Sequence, residues 1–295
     1  MRDPAKVQLL PDGQRLHLQD GPIDLIVEAS GKPAAIRSAY EAAARRFVSI
    51  LDELCAELPL LRSRATKHAP RPQGTIAQCM ADAVAPYRDS CFITPMAAVA
   101  GAVAEAVLET MTSAAELERA YVNNGGDIAL YLAESQCYTI GMVERLDRPS
   151  LFGAVEISAA SPIRGVATSG WRGRSFSLGI ADAVTVLAEG AAKADAAATI
   201  IANAVDLPGH ALIIREQACE IAPDSDLGDL PVTRAVGRLS QPEIERALEA
   251  GVRMAEHSMV RSLIHAAALC LQGEMRVAAL RGSAIINSQR SLLHA

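Results

Sequence analysis

The chain predicts an α+β protein: a layered sheet packed with helices, built as a single large domain from 295 residues. Three observations lead there. Short strands joined by tight turns open the sequence. Later strand runs are followed by buried, small-residue helices rather than alternating regularly with them, which fits a helix-layered sheet better than a doubly wound one. No repeat of 20–50 residues and no Pro/Gly/Ser linker divides the chain. Half the residues are hydrophobic and 21% are charged, which supports a substantial core. Aromatics are only 3%, so Ala, Val, Leu and Ile must build that core.

The elements follow in order. Val7–Leu10, Arg15–Gln19 and Asp24–Glu28 read as a meander, turned at Pro11-Asp12-Gly13 and Asp20-Gly21-Pro22. Lys32–Leu58 is a long amphipathic helix carrying Ile36, Tyr40, Ala43, Phe47, Ile50, Leu51 and Leu54 on one face, ended by Pro59. Residues 59–74 mix Pro and Arg without periodicity and read as a loop. A helix follows at Ile76–Val84. Thr94–Met111 is a second strong helix, with Thr94 as cap and Pro95 in its first turn. Small residues surround that helix almost completely and predict close backbone contact with a neighbour.

Tyr121–Ala133, Cys137–Glu144 and Phe152–Ser158 read as consecutive strands. Arg164–Val205 reads as a strand, a glycine-rich polar turn, a second strand and an alanine-rich helix. Ala211–Glu216 adds a strand, residues 222–231 are acidic and turn-rich, and Gln241–Leu271 reads as a long C-terminal helix (241–272 at its widest) with Ser240 as cap and Pro242 in the first turn.

Composition excludes several classes. The formal net charge is −6 and no dense basic run appears, so a nucleic-acid footprint is missing. The nearest cluster, Arg62, Arg64, Lys67, His68 and Arg71, reads as a solvated loop, with contact to an anionic ligand as the alternative. The longest apolar run, Pro95–Ala104, is too short to span a bilayer. The six cysteines form no C-x-x-C pair, and no signal peptide is seen at the N-terminus, so a reducing cytoplasm is the expectation. The small-residue helices favour a close-packed homodimer.

Asp195 and Thr199 are the sharpest chemical clue. Four residues apart on an otherwise apolar helix, they share one face. A carboxylate on a buried helix needs a cation, a base or backbone donors. The pair fits a hard cation such as Mg²⁺, which takes few protein oxygens plus phosphate or water. It also fits, and on spacing alone fits better, an Asp near a helix N-terminus with Thr bonding back to its own helix.

Asn123-Asn124-Gly125-Gly126-Asp127 is either a hairpin turn or a backbone opening for a phosphate or ring edge. Thr168, Ser169, Gly170, Arg172 and Arg174 lie in a polar loop after a strand, suited to a phosphate or simply exposed. Asp182, at the start of the apolar strand Ala183–Ala188, is a candidate base or metal ligand, or a structural acceptor of backbone N–H groups. His257, Arg261 and His265 share a face of the last helix, but two His eight residues apart stand roughly 12 Å apart along its axis and cannot share one ion.

Val122–Ile128, Ala167-Thr168-Ser169-Gly170 and Ala194–Thr199, in this order and at this approximate spacing, resemble motifs of the ApbE-like superfamily, whose best-known members are FAD:protein FMN transferases. Pro95–Ala104 resembles the segment ahead of that family's G-G-D motif, and the likeness covers roughly residues 90–205. The whole chain is most similar to a cytoplasmic bacterial and archaeal branch that lacks the transferase His motif.

The resemblance implies an ApbE-like, T-fold-related architecture with the site between sheet and helices. It implies Mg²⁺ at Asp195 and Thr199, and FAD or a related nucleotide lined by Asn123–Asp127 and Thr168–Gly170. The family's His-x-x-Asp-Pro-x-x-Gly motif is absent: that stretch reads Ser175–Asp182, with neither His nor Asp-Pro. The Met-Gly-Thr start of the flavin site is not recognisable either.

Three functional readings follow. One is a divergent transferase or hydrolase acting on an anionic small ligand with Mg²⁺, with Arg172 or Arg174 on phosphate and Asp182 as base. The second is a non-catalytic flavin- or ligand-binding protein or assembly factor. The third, carried by the resemblance alone, is an enzyme of pterin-type one-carbon cofactor biosynthesis.

Overall fold

A computed structural model describes residues 4–143, 151–279 and 285–286. In chain order the elements are β1 (Lys6–Leu9), β2 (Leu16–Asp20), β3 (Ile23–Ser30), α1 (Pro33–Ala56), α2 (Leu58–Leu61), α3 (Thr75–Val84), a 3-10 turn at Pro95–Ala98 and α4 (Val99–Ala114). Next come β4 (Arg119–Asn124), β5 (Asp127–Leu132), β6 (Cys137–Val143), β7 (Leu151–Ser158), β8 (Gly165–Ser169), β9 (Ala183–Ala188) and α5 (Ala191–Ala204). The chain closes with β10 (Ile213–Gln217), α6 (Ala218–Ile221), β11 (Pro231–Val236), α7 (Gln241–Val260), β12 (Ala266–Leu271), β13 (Glu274–Ala279) and β14 (Ile285–Ile286). Both α and β layers are present, as α+β requires.

The chain forms two compact units, each assembled from several stretches: Met1–Cys137, Ser158–Ala167 and Ala188–Ala196 in the first; Tyr138–Ile157, Thr168–Leu187 and Ala197–Ala295 in the second. In the first unit β1-β2-β3-β4-β5 form consecutive antiparallel pairs, and β8 adds beside β5 through Ile128↔Val166 and Ala129↔Gly165. Strict alternation in β2 and β3 buries Leu16, Leu18, Ile23, Leu25 and Val27 on one face. Helices α1 and α4 pack against each other and against these strands. Ala39, Ala43, Phe47, Ile50 and Leu54, at three- and four-residue spacing, form the inward stripe of α1.

In the second unit β9-β12-β13 form an antiparallel ladder, β10 pairs with β11, and β7 lies between β6 and β14. Every residue of β9 and of β12 is buried. Helix α7 packs on β12 and β13, and Gly251 makes that approach possible: a Cβ there would lie 2.4 Å from Val205 Cγ2 and 2.6 Å from Leu269 Cδ2.

The structure corrects several sequence expectations. Tyr121–Ala133 is a hairpin, β4 and β5, not one strand. The helix expected at Thr94–Met111 starts as a 3-10 turn and runs on to Ala114. Glu144, the expected end of β6, lies outside the described residues. The largest miss is the C-terminal helix: it stops at Val260, Ser262 takes a left-handed φ of 56°, and Ala266–Leu271 is a strand. A strand buried on both faces shows no period-two alternation, and an Ala-rich apolar run continues a helical pattern without a visible break. His265 therefore sits off the helix that carries His257, and its N–H bonds to Leu187 O at 2.8 Å.

Gly165 sets a limit on the first unit. A Cβ at this position would lie 2.0 Å from the carbonyl carbon of Gly190, which is backbone and cannot rotate away. Gly165→Ala is expected to destabilise by about 3 kcal/mol, the upper end for overpacking, read as a lower urea midpoint at unchanged slope. Gly126→Ala, where the space is open but φ is +115°, is expected to cost about 2 kcal/mol through backbone strain alone.

Candidate functional site

The first unit brings Asn124 and Asp195 to the start of α4, with the charge of Asp127 near Asp195. Gly125 and Gly126 are the two loop residues of the β4–β5 hairpin, both at positive φ, with Asn124↔Asp127 the last pair of the ladder. The Asn123 side-chain oxygen accepts the Gly126 N–H at 2.8 Å and closes the turn. Asn124, buried, donates from Nδ2 to Ala100 O at 3.2 Å and ties the hairpin to α4. The turn reading of this motif is what the structure contains, and it leaves Asp127 at the hairpin's base.

Helices α4 and α5 cap each other. The first N–H groups of any helix lack internal acceptors. Those of α4 at Ala100 and Gly101 go to the Asp195 carboxylate, with Gly101 N to Oδ2 at 3.1 Å. In return, Glu105 on α4 accepts the Ala192 N–H of α5 at 3.3 Å. The second Glu105 oxygen accepts from Cys79 Sγ at 3.2 Å, and burial, followed by the Glu105 charge, pushes that thiol up to about 12. The exchange needs a close crossing, and a Cβ on Gly101 would stand 2.3 Å from Ala191 O.

The Asp195 carboxyl lies well above the ordinary carboxylate range. Burial is the main cause and the negative charge of Asp127 the next; the Gly101 and Ala100 N–H groups pull the other way without prevailing. Two carboxylates held this way repel unless a proton or a cation sits with them. Thr199 follows one turn later on α5, partly exposed. Among the described residues no group of three or more His, Cys, Asp or Glu is placed to hold a metal ion.

The second unit holds the other predicted residues. Asp182 is 3% exposed. One of its oxygens accepts Arg172 Nε at 2.7 Å and the other accepts the Gln272 N–H at 2.6 Å. Arg172 also lies over the Trp171 ring, 4.2 Å from its centroid. The carboxylate thus anchors the polar loop and the β12–β13 turn. Thr168 and Thr185 hydroxyls pair at 2.9 Å. Gly170 fits because a Cβ would meet Asp182 O at 2.5 Å. Ser169 is partly exposed and Arg174 exposed. Glu105 and Gln272 escaped the sequence reading; Glu105 ends an apolar run and looks like a surface break, and Gln272 carries no motif.

Two predictions follow from these pairs. In the unfolded chain Asp195 ionises near the ordinary value of about 4; in the folded chain it holds its proton to higher pH. The folded state therefore binds the extra proton in that window, and the Asp195 contribution to stability falls as pH rises through it. Asp195→Asn, which keeps an acceptor for Gly101, is expected to flatten the stability loss that sets in as pH rises above the ordinary carboxylate range in metal-free buffer and to be about 1 kcal/mol more stable than the parent at the high-pH end. Arg172→Ala leaves a buried carboxylate without its cation and is expected to cost about 3 kcal/mol in urea unfolding, partly recovered by adding Asp182→Asn.

Comparison with known proteins places the chain. A UPF0280 protein of Methanopyrus kandleri is 38% identical over 157 residues, covering 52% of this chain and 58% of that one. A UPF0280 protein of Methanothrix thermoacetophila is 42% identical over 114 residues, 38% of this chain and 46% of that one. The chain thus spans about half the length of the curated relatives it matches. Among solved structures, the flavinyl transferase ApbE of Pseudomonas stutzeri in apo form aligns at a TM-score of 0.49 with 12% identity, over 95% of this chain and 96% of that one. The family model described as AbpE bacteria matches residues 7–277, and the chain belongs to that family.

Proposed function

We propose that the chain binds a flavin or related nucleotide together with Mg²⁺, with Asp195, Asp127 and Thr199 as the protein's metal oxygens and the Asn123–Gly126 turn against the ligand. The observation that carries this reading is the half-buried Asp195 carboxylate, fixed by the Gly101 N–H at 3.1 Å, with the negative charge of Asp127 near it. Such a pair is unfavourable by itself and becomes favourable once a divalent ion shares it. The motif resemblance supplies the ligand class. Mg²⁺ held there would neutralise phosphate charge on the ligand, and Asp195 would keep its orientation through the Gly101 N–H.

A second reading, a binding protein without turnover, is favoured by one observation. Both Asp182 oxygens are already engaged by Arg172 and Gln272, which suits an anchor better than a base. The two readings part in an assay of FMN transfer and FAD hydrolysis: turnover abolished by Asp182→Asn with ligand binding retained supports the enzyme.

The direct test is thermal melting with FAD, FMN, ADP or a pterin, each with and without Mg²⁺. A ligand at a hundred times its dissociation constant adds about 2.7 kcal/mol. The expected result is a Mg²⁺-dependent rise with FAD that Asp195→Ala removes. A Mg²⁺-dependent rise that survives Asp195→Ala, or no rise with any flavin, overturns the proposal.

A further inference from the structure

The segment between α2 and α3 was read above as a solvated loop, and the structure shows it to be built. Glu57 accepts the N–H groups of Gln73 and Gly74, both at 2.7 Å. The Ala65 N–H bonds to Ile93 O at 2.8 Å, and Gln78 Nε2 donates to Pro72 O at 2.9 Å. Within the first unit this fixed segment closes a cleft of about 130 Å³, lined by Arg64, Thr66, Arg71, Asp82 and Arg88 among others.

The charges of that lining do not balance. Asp82 takes Arg71 through two bonds, at 3.1 and 3.0 Å. Lys67, next to Thr66, is matched by Asp89 at 3.1 Å. Arg64 lies over the Phe92 ring, 5.8 Å from its centroid, with no carboxylate partner among the described residues. Arg88 is the sharper case: its Nε is buried and has no hydrogen-bond partner among the described residues. A buried guanidinium N–H left unmade is costly. Three guanidinium groups against one carboxylate leave a doubly positive cleft.

We propose that this cleft is a phosphate-binding site, taking a phosphate dianion or the phosphate end of a larger ester. Arg88 and Arg64 are its cationic ligands and the Thr66 hydroxyl a further donor. A planar guanidinium matches phosphate oxygens in a two-point fork, and two such groups match a dianion. None of these residues belongs to the Asp195 corner, so the inference stands independently of the Mg²⁺ reading.

The test is calorimetric titration of the full chain in Mg²⁺-free buffer at fixed ionic strength, with inorganic phosphate in one arm and a nucleoside monophosphate in the other. Saturable binding is expected, weakened about tenfold or more by Arg88→Gln and severalfold by Arg64→Gln. Arg64 is exposed, so its variant keeps the test open if Arg88→Gln fails to fold. Binding of inorganic phosphate alone identifies the free ion as ligand; equal or tighter binding of the monophosphate identifies an ester. Absence of saturable binding in both arms overturns the proposal. So does affinity unchanged in the Arg64 and Arg88 variants, or a comparable loss in Asp195→Asn, which would put the anion elsewhere.

Discussion

Reciprocal capping of α4 and α5 is the interaction on which the first unit's chemistry depends. Asp195 takes the leading N–H groups of α4, and Glu105 takes one from α5. Neither carboxylate could do this at an ordinary helix separation. The crossing is close because Gly101 has no side chain where Ala191 backbone passes, and Gly190 none where Glu105 reaches in. The arrangement holds Asp195 in a fixed direction, and the same constraint keeps it desolvated beside Asp127.

The second unit uses a different device for a similar end. Asp182 fastens its polar loop by accepting from Arg172 on one side and from the Gln272 backbone on the other. Arg172 is stiffened further by Trp171 beneath it. Gly170 lets the loop's backbone lie directly on that of Asp182. A buried ion pair of this kind contributes little net stability compared with an apolar pair, while its half-removal is costly. It specifies loop position rather than adding strength.

How much of this was legible depended on whether local pattern and tertiary environment agreed. The meander β1–β3, the stripe of α1 and the start of α7 after Ser240 follow from alternation, from three-four spacing and from capping chemistry, and all three appear, Glu243 closing the cap on the Ser240 N–H. The β12 strand was invisible because burial on both faces erases alternation, and Ala266–Ala268 favour helix by propensity. At the site, Asp195 stood out as the one acid among alanines. The role of Asp127 could not be read, because nothing in a hairpin's sequence says which helix its base will face. Likewise the 59–74 segment looked disordered in pattern because its order comes from Glu57 and Gln78, outside or at the far edge of the loop.

The scarcity of aromatic residues ties these observations together. With 3% aromatics, few rings are available to stack on a ligand. The polar groups that the fold gathers instead are backbone N–H groups, carboxylates and guanidinium groups brought near by small residues. Alanine and glycine at the crossing of α4 and α5 serve that gathering directly, since close helix approach exposes helix-end dipoles to one another and to whatever lies between the carboxylates. Large core residues at Gly101 or Ala191 would build a more ordinary hydrophobic contact, and they would move Asp195 away from both Gly101 and Asp127. The small-residue composition that looks like a weak core is thus the condition for the charged corner to exist.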